Sequence, residues 1–223
     1  MEARNAGAGR NELMRADAQR NAEKLRVAAA ELFQERGLKV PLKEIARRAG
    51  VSHGTLYNLF GTREALIDEV VVGLAADRLG EAAERALSFE EAWAGFAYYV
   101  EKVCELQATD PAVADVVSGR FPAAECLMTI CGQAQDAAVR IIERARLAGA
   151  IRPDFTGEDL LLFFGTSALL ARAAADAVPD AWRRQVAFLL DGLSTQAAQG
   201  PLSVAPPTPQ QTYEVMGRLA GTS

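Results

Sequence analysis

The sequence predicts an all-α protein in which an N-terminal three-helix unit containing a helix-turn-helix is joined by a long helix to a larger helical domain. Three observations predict it. Apolar residues recur at helical spacing along the chain. No stretch reads as a strand or hairpin. Glycines and capping residues fall where one periodic segment gives way to the next.

Leu25, Ala29, Leu32 and Phe33 form one face of the first helix, and Gly37 can end it as a left-handed C-cap. Pro41 suits the first turn of a second helix whose apolar face is Leu42, Ile45, Ala46 and Ala49. Gly50 stops it, and Ser52 can N-cap a short third helix through Phe60. Gly61 breaks that helix, and Thr62 can cap a long fourth one through Leu66, Val70 and Leu74 to about Leu87. Ser88 opens a fifth, with Glu90 and Glu91 in its first turn, where the helix dipole favours anions. A short helix over 111–117, a long one over 123–147, and apolar helices over 157–176 and 179–194 follow. Thr156 and Asp159 have capping-box spacing before the first of that last pair. The domain boundaries expected are a flexible arm over 1–15, the helix-turn-helix domain with its linking helix over 16–87, a second domain over 88–198, and a Pro-containing tail over 199–223 with one weak helix near 210–219.

Composition narrows the function. Half of the 223 residues are hydrophobic, enough for a substantial core. No apolar run reaches the roughly 18–20 residues of a membrane span, so no membrane partner is expected. The N-terminal segment has no apolar region of the secretory type. Cys104, Cys126 and Cys131 form no C-x-x-C pair, which fits reduced thiols in a cytoplasmic protein. Residues 1–64 hold 12 Lys and Arg against 8 Asp and Glu, a net +4, while the remainder holds 12 against 21, a net −9. A basic segment on an acidic body fits one end meeting a polyanion. A single histidine, no nucleophile motif and no metal-ligand spacing argue against an enzyme, so no catalytic residue, metal or cofactor is expected.

Residues 42–60 carry the most specific signal. A helix-turn-helix needs a steep crossing of two short helices around a tight turn. Ala46 supplies the small contact residue, and Gly50 tolerates positive φ at the turn. Ile45, Ala49, Val51, Leu56 and Leu59 point inward in register. The third helix is then the one that enters a DNA major groove. Its outward residues are Ser52, His53, Gly54, Thr55, Tyr57 and Asn58, which are short or polar and include no acid. Gly54 lets the helix approach the DNA closely. Asn58 suits adenine, and Thr55 suits a base edge or a thymine methyl. Tyr57 and Ser52 suit phosphates. His53 reads as a DNA-facing donor whose contact strengthens when the ring is protonated. Thr62 and Arg63 open the fourth helix, whose free N–H groups suit a phosphate.

The segments LRVAAAELFQERG and VPLKEIARRAGVSHGTLYNLFGTREAL resemble the tetracycline-repressor (TetR) family of bacterial transcriptional regulators, as do ARLAGAIRPDFTGEDLLL and the WRRQVAFLLDGL helix more weakly. The resemblance is strongest over 16–71. It implies an all-helical homodimer whose N-terminal domain binds a palindromic double-stranded DNA operator and whose C-terminal domain binds a small-molecule effector that lowers DNA affinity. The family's DNA-contact pattern falls on Ser52, His53, Thr55, Tyr57, Asn58 and Arg63, with Lys43 near the DNA backbone. This chain departs from the pattern at His53, where many members carry a basic residue, at Leu59, where many carry histidine, and at Gly61, often a proline.

In the second domain, Trp93, Phe96, Val100, Cys104, Phe121, Met128, Cys131 and Phe164 are the candidate lining of an effector cavity, with Tyr99, Cys126 and Phe163 alongside. Their character points to an apolar or aromatic ligand. The apolar faces of the last two long helices suit an isologous four-helix dimer interface. The reading is a ligand-responsive repressor. Its alternative is a ligand-independent regulator or activator whose second domain only dimerises, which a filled core there would favour.

Overall fold

The computed structural model describes residues 2–118, 125–195 and 200–221, with the backbone alone at 2–13, 72, 74, 125–128, 130, 131 and 220. Among the described residues there are ten helices: α1 (Glu2–Arg36), α2 (Leu42–Ala49), α3 (His53–Phe60), α4 (Arg63–Ser88), α5 (Ala92–Thr109), α6 (Pro111–Val117), α7 (Glu125–Leu147), α8 (Gly157–Ala174), α9 (Ala181–Leu193) and α10 (Pro209–Ala220). The β-type pairing among them is one isolated bridge between Ile151 and Ser194. The all-α expectation holds.

The first three helices and the start of α4 enclose a core in which Leu25, Phe33, Leu38, Ile45, Leu56, Leu66 and Ile67 are fully buried. Gly37 and Gly50 adopt φ of 80° and 68°, the left-handed region in which a Cβ is costly. Gly50 ends α2 by directing its N–H at the carbonyls of Ala46 and Arg47. Helical backbone begins at Glu2, upstream of the start near 16 that apolar periodicity alone suggests. Residues 2–15 lack an apolar stripe, but they contain no proline and are rich in Ala, Glu and Arg, which favour helix without one.

The second unit packs α4 against α5 and α7, and α5 in turn against α6, α8 and α9. The junction at 88–91 differs from expectation. Ser88 closes α4, its hydroxyl donating back to the Arg85 carbonyl at 2.8 Å, and α5 starts only at Ala92. Arg144 of α7 determines this break. Its guanidinium donates to the carbonyls of Leu87 (3.3 Å), Phe89 and Glu90 (2.9 Å), serving oxygens that the ending helix leaves without partners. Gly95 lets α5 lie against the end of α4, since a Cβ there would stand 2.3 Å from the Ala86 carbonyl oxygen. The Thr156–Asp159 capping box forms as the spacing predicts.

The tail holds a full helix. Thr208 and Gln211 make a reciprocal capping box, and α10 lies on α8 with Thr212 and Met216 buried. A Cβ on Gly165 of α8 would stand 2.7 Å from the Met216 Sδ, so the glycine makes room for that side chain. Part of the α8 face expected to meet a second subunit is therefore covered by the chain's own C-terminal helix.

Candidate functional site

The α3 surface is built by its caps. Ser52 Oγ accepts the Thr55 N–H at 3.0 Å and lies 2.8 Å from the Thr55 hydroxyl, which fixes the helix start. Leu56 and Phe60 turn inward, with Leu59 packed beside them. Ser52, His53, Gly54, Tyr57 and Asn58 are exposed, and Thr55 is half-buried. The His53 and Tyr57 rings meet edge to face with centroids 4.8 Å apart, forming one outward ridge. Gly54 is not demanded by the fold. A Cβ there would come within 4 Å of one atom only, the Ser52 Oγ at 3.8 Å, and its φ is not positive. A helix glycine costs about 1 kcal/mol relative to alanine, and here no internal packing offsets it.

Thr62 is exposed and caps α4, accepting the Ala65 N–H at 3.1 Å. Lys43 is exposed in the first turn of α2. Arg63 is half-buried and has an internal role in addition to the DNA contact expected of it. Its Nη1 donates to the carbonyls of Leu38 (2.8 Å) and Val40 (2.7 Å), tying the α1–α2 connection to α4. Much of the remaining basic charge is also committed. Arg48 pairs with Glu31 and Glu35, and Arg36 pairs with Glu44 and holds that carboxyl below its ordinary value.

A cavity of about 260 Å³ lies in the second unit. Its wall comes from α4 (Leu79), α5 (Tyr99, Val103), α6 (Val116, Val117), α7 (Ala134, Ala138), α8 (Leu160, Phe164) and α10 (Thr212, Met216), among others. Of the candidate ligand residues, Phe164 and the neighbouring Tyr99 line it, their rings 6.2 Å apart and steeply inclined. Phe96, Val100 and Cys104 are fully buried in the core and do not line it. Phe96 packs edge to face on Phe155 instead, and Cys104 accepts the Ser167 hydroxyl at 3.4 Å. Burial pushes the Cys104 thiol up to about 12, against the smaller opposing effect of that hydrogen bond. Trp93 sits at a separate depression beside Gly149, Ala150 and Leu190. Phe121 and the side chains of Cys126, Met128 and Cys131 lie outside the described residues. Leu79, Val116, Thr212 and Met216 were not singled out by sequence. The capping-box spacing of Thr208 and Gln211 is the signal that could have found the last two.

Between cavity and helix-turn-helix stands α6. Asp110 caps it and also pairs with Arg78 of α4 at 2.5 Å. Asp115 accepts the Leu38 N–H at 2.8 Å and pairs with Arg172 of α8 at 3.2 Å. Val116 and Val117, the next residues, touch the cavity.

Residues 25–70 match the family model described as bacterial regulatory proteins, tetR family. Residues 90–195 match the model described as the C-terminal domain of SbtR-like transcriptional regulators. The chain belongs to the TetR family of bacterial transcriptional regulators. A curated relative, the HTH-type transcriptional repressor KstR2 of Rhodococcus jostii (strain RHA1), is 41% identical over 54 residues, 24% of this chain. That match spans 26%, about a quarter, of the relative's length. The ketosteroid regulator KstR2 of Mycobacterium tuberculosis superposes with a TM-score of 0.57 at 21% identity, covering 78% of this chain and 94% of that one. A TetR-family regulator from Agrobacterium tumefaciens gives 0.59 at 15% identity, covering 79% and 99%. At these identities the two structures share the TetR fold. The α10 helix follows the last residue that the TetR-type C-terminal model matches.

Proposed function

We propose that this TetR-family protein is a ligand-responsive repressor that binds a palindromic operator as a homodimer and is released by a small apolar or aromatic effector. The observation that carries the DNA-binding reading is the outward face of α3, with its exposed His53, Tyr57 and Asn58 and a Gly54 that the fold itself does not require. Such a face suits a major groove, with Asn58 toward a base and Tyr57, Ser52, Thr62 and Lys43 toward phosphates. Two copies would place their α3 helices one helical turn of DNA apart, about 34–36 Å, or a multiple of it. The exposed Phe188 of α9, 63% accessible, supports a dimer contact built on α9 and the uncovered part of α8.

The 260 Å³ cavity favours effector binding over a second domain that only dimerises. Release requires that the effector bind one conformation better than another. Here α6 supports the coupling. Its Val116 and Val117 meet the cavity, while Asp115 and Asp110 hold Leu38 and Arg78 on the DNA-binding side.

Selection of operators from random DNA tests the reading. Specific binding on the order of 10⁻⁸–10⁻¹¹ M, weakening steeply with salt, is expected. Tyr57→Ala is expected to lower operator affinity at least tenfold while leaving the thermal midpoint nearly unchanged, because the ring is 46% exposed and stands on the outward ridge with His53. Recovery of no sequence at low salt would overturn the DNA-binding reading. Wild-type affinity in a folded Tyr57→Ala protein would remove Tyr57 from the interface.

A further inference from the structure

We propose that the cavity closed by α10 takes a compact, uncharged, largely apolar molecule with one carbonyl or hydroxyl oxygen, held by the hydroxyl of Tyr99. This deepens the effector reading and rests on it. The size argument comes first. A cavity of about 150 Å³ suffices for benzene, so 260 Å³ accommodates roughly two fused rings or a short chain of similar bulk.

The walls then fix the chemistry. Val103, Val116, Ala138, Leu160, Phe164 and Met216 are apolar and buried. Among the described lining residues there is no Lys, Arg or His, and the one charged side chain is Glu158 in the first turn of α8. An anionic ligand would lose its water, would gain no cation among these described residues and would meet a carboxylate of the same sign. Of the uncharged polar side chains on the wall, Gln135 and Tyr213 are exposed, and Tyr99 and Thr212 are buried. Tyr99 is 3% exposed and lines the cavity. Burial pushes the phenol up to about 12, so it stays an O–H that can donate. A single oxygen on an otherwise apolar ligand would accept a hydrogen bond from it. The Thr212 hydroxyl already donates to the Thr208 carbonyl at 3.1 Å.

The helix that completes the site lies beyond residues 90–195, which the C-terminal family model matches. Met216 seats over Gly165, and an unbranched thioether adapts to ligands of differing outline.

Three probes of one shape test the proposal on the full-length protein by calorimetry: 2-acetylnaphthalene, 2-isopropylnaphthalene and 2-naphthoate. The ketone is expected to bind at least tenfold more tightly than either of the others. Tyr99→Phe is expected to erase its advantage over the hydrocarbon and to leave hydrocarbon affinity within twofold. Ala134→Phe, which fills space from a half-buried wall position, is expected to weaken the ketone at least tenfold. Naphthoate binding as tightly as the ketone would overturn the uncharged ligand class. Equal ketone affinity in wild type and Tyr99→Phe would overturn the anchor. No binding of any probe up to its solubility would overturn the whole inference. These outcomes leave DNA binding untouched, since that is read on the ligand-free protein. A ketone that binds as expected but leaves operator affinity unchanged would instead overturn the release mechanism.

Discussion

Asp115 is the residue whose removal most directly tests how the two units are joined. It is 4% exposed, and its Oδ2 accepts the N–H of Leu38, itself fully buried. Gly37 is what allows the approach, because a Cβ there would stand 2.6 Å from that oxygen. A hydrogen bond to a charged group contributes about 1.5–3 kcal/mol. The ion pair with Arg172, whose side chain is 35% exposed, contributes little, about 0–1 kcal/mol after solvent screening. Asp115→Ala should therefore lower the unfolding free energy by about 2–4 kcal/mol. Asp115→Asn keeps an oxygen for Leu38 and loses only the charge, so it should cost about half as much. Urea unfolding followed by the fluorescence of Trp93 and Trp182 measures both, at one fixed protein concentration because association shifts apparent stability. An alanine variant within about 0.5 kcal/mol of wild type, the range of an ordinary surface change, would refute the bridge. Equal losses in both variants would show that the charge, and not the Leu38 bond, is what matters.

The other outcomes follow from equally local geometry. Gly95→Ala should destabilise by about 1–3 kcal/mol or more, seen as a lower melting temperature, because its Cβ would press on the backbone oxygen of Ala86. Arg63→Ala should cost about 1–3 kcal/mol by removing two carbonyl bonds; unchanged stability with lost operator binding would leave Arg63 a DNA contact alone. The Cys104 thiol should resist iodoacetamide at pH 8 in the native protein and react in urea, as followed by peptide mapping, since burial raises its pKa to about 12. Equal rates in both conditions would show that the α5–α8 core opens readily.

The features legible in the sequence are those set by neighbours a few residues apart. Gly37, Gly50, Ser52, Thr62 and the Thr156–Asp159 pair mark helix ends because caps and left-handed turns are local chemistry. The exposed face of α3 was legible for the same reason: once Leu56 and Phe60 are committed inward, a helix of eight residues leaves few choices for the outside. The internal bonds of Arg63 were not legible, because its partners lie 23 and 25 residues away and are carbonyls, which carry no sequence signal. The cavity was mostly missed because a void belongs to six helices at once. Large aromatics such as Phe96 fill the core, and the space remains where smaller Val116, Ala134 and Ala138 face each other.

The short α6 shows what this arrangement is for. Its seven residues and their N-cap carry two buried carboxylates, although replacing a buried ion pair by apolar residues is often neutral or stabilising. Stability alone is thus a poor reason for Asp110 and Asp115. What apolar residues could not provide is direction. Each carboxylate fastens α6 to one chosen group, Arg78 on the linking helix and the Leu38 amide at the corner of the helix-turn-helix. Apolar contact tolerates sliding, whereas a buried hydrogen bond is either made or lost. α6 is attached this way on one side and rests on the cavity by Val116 and Val117 on the other. Under the proposed function, a ligand in the cavity would act on α3 by favouring one state of these bonds over the other.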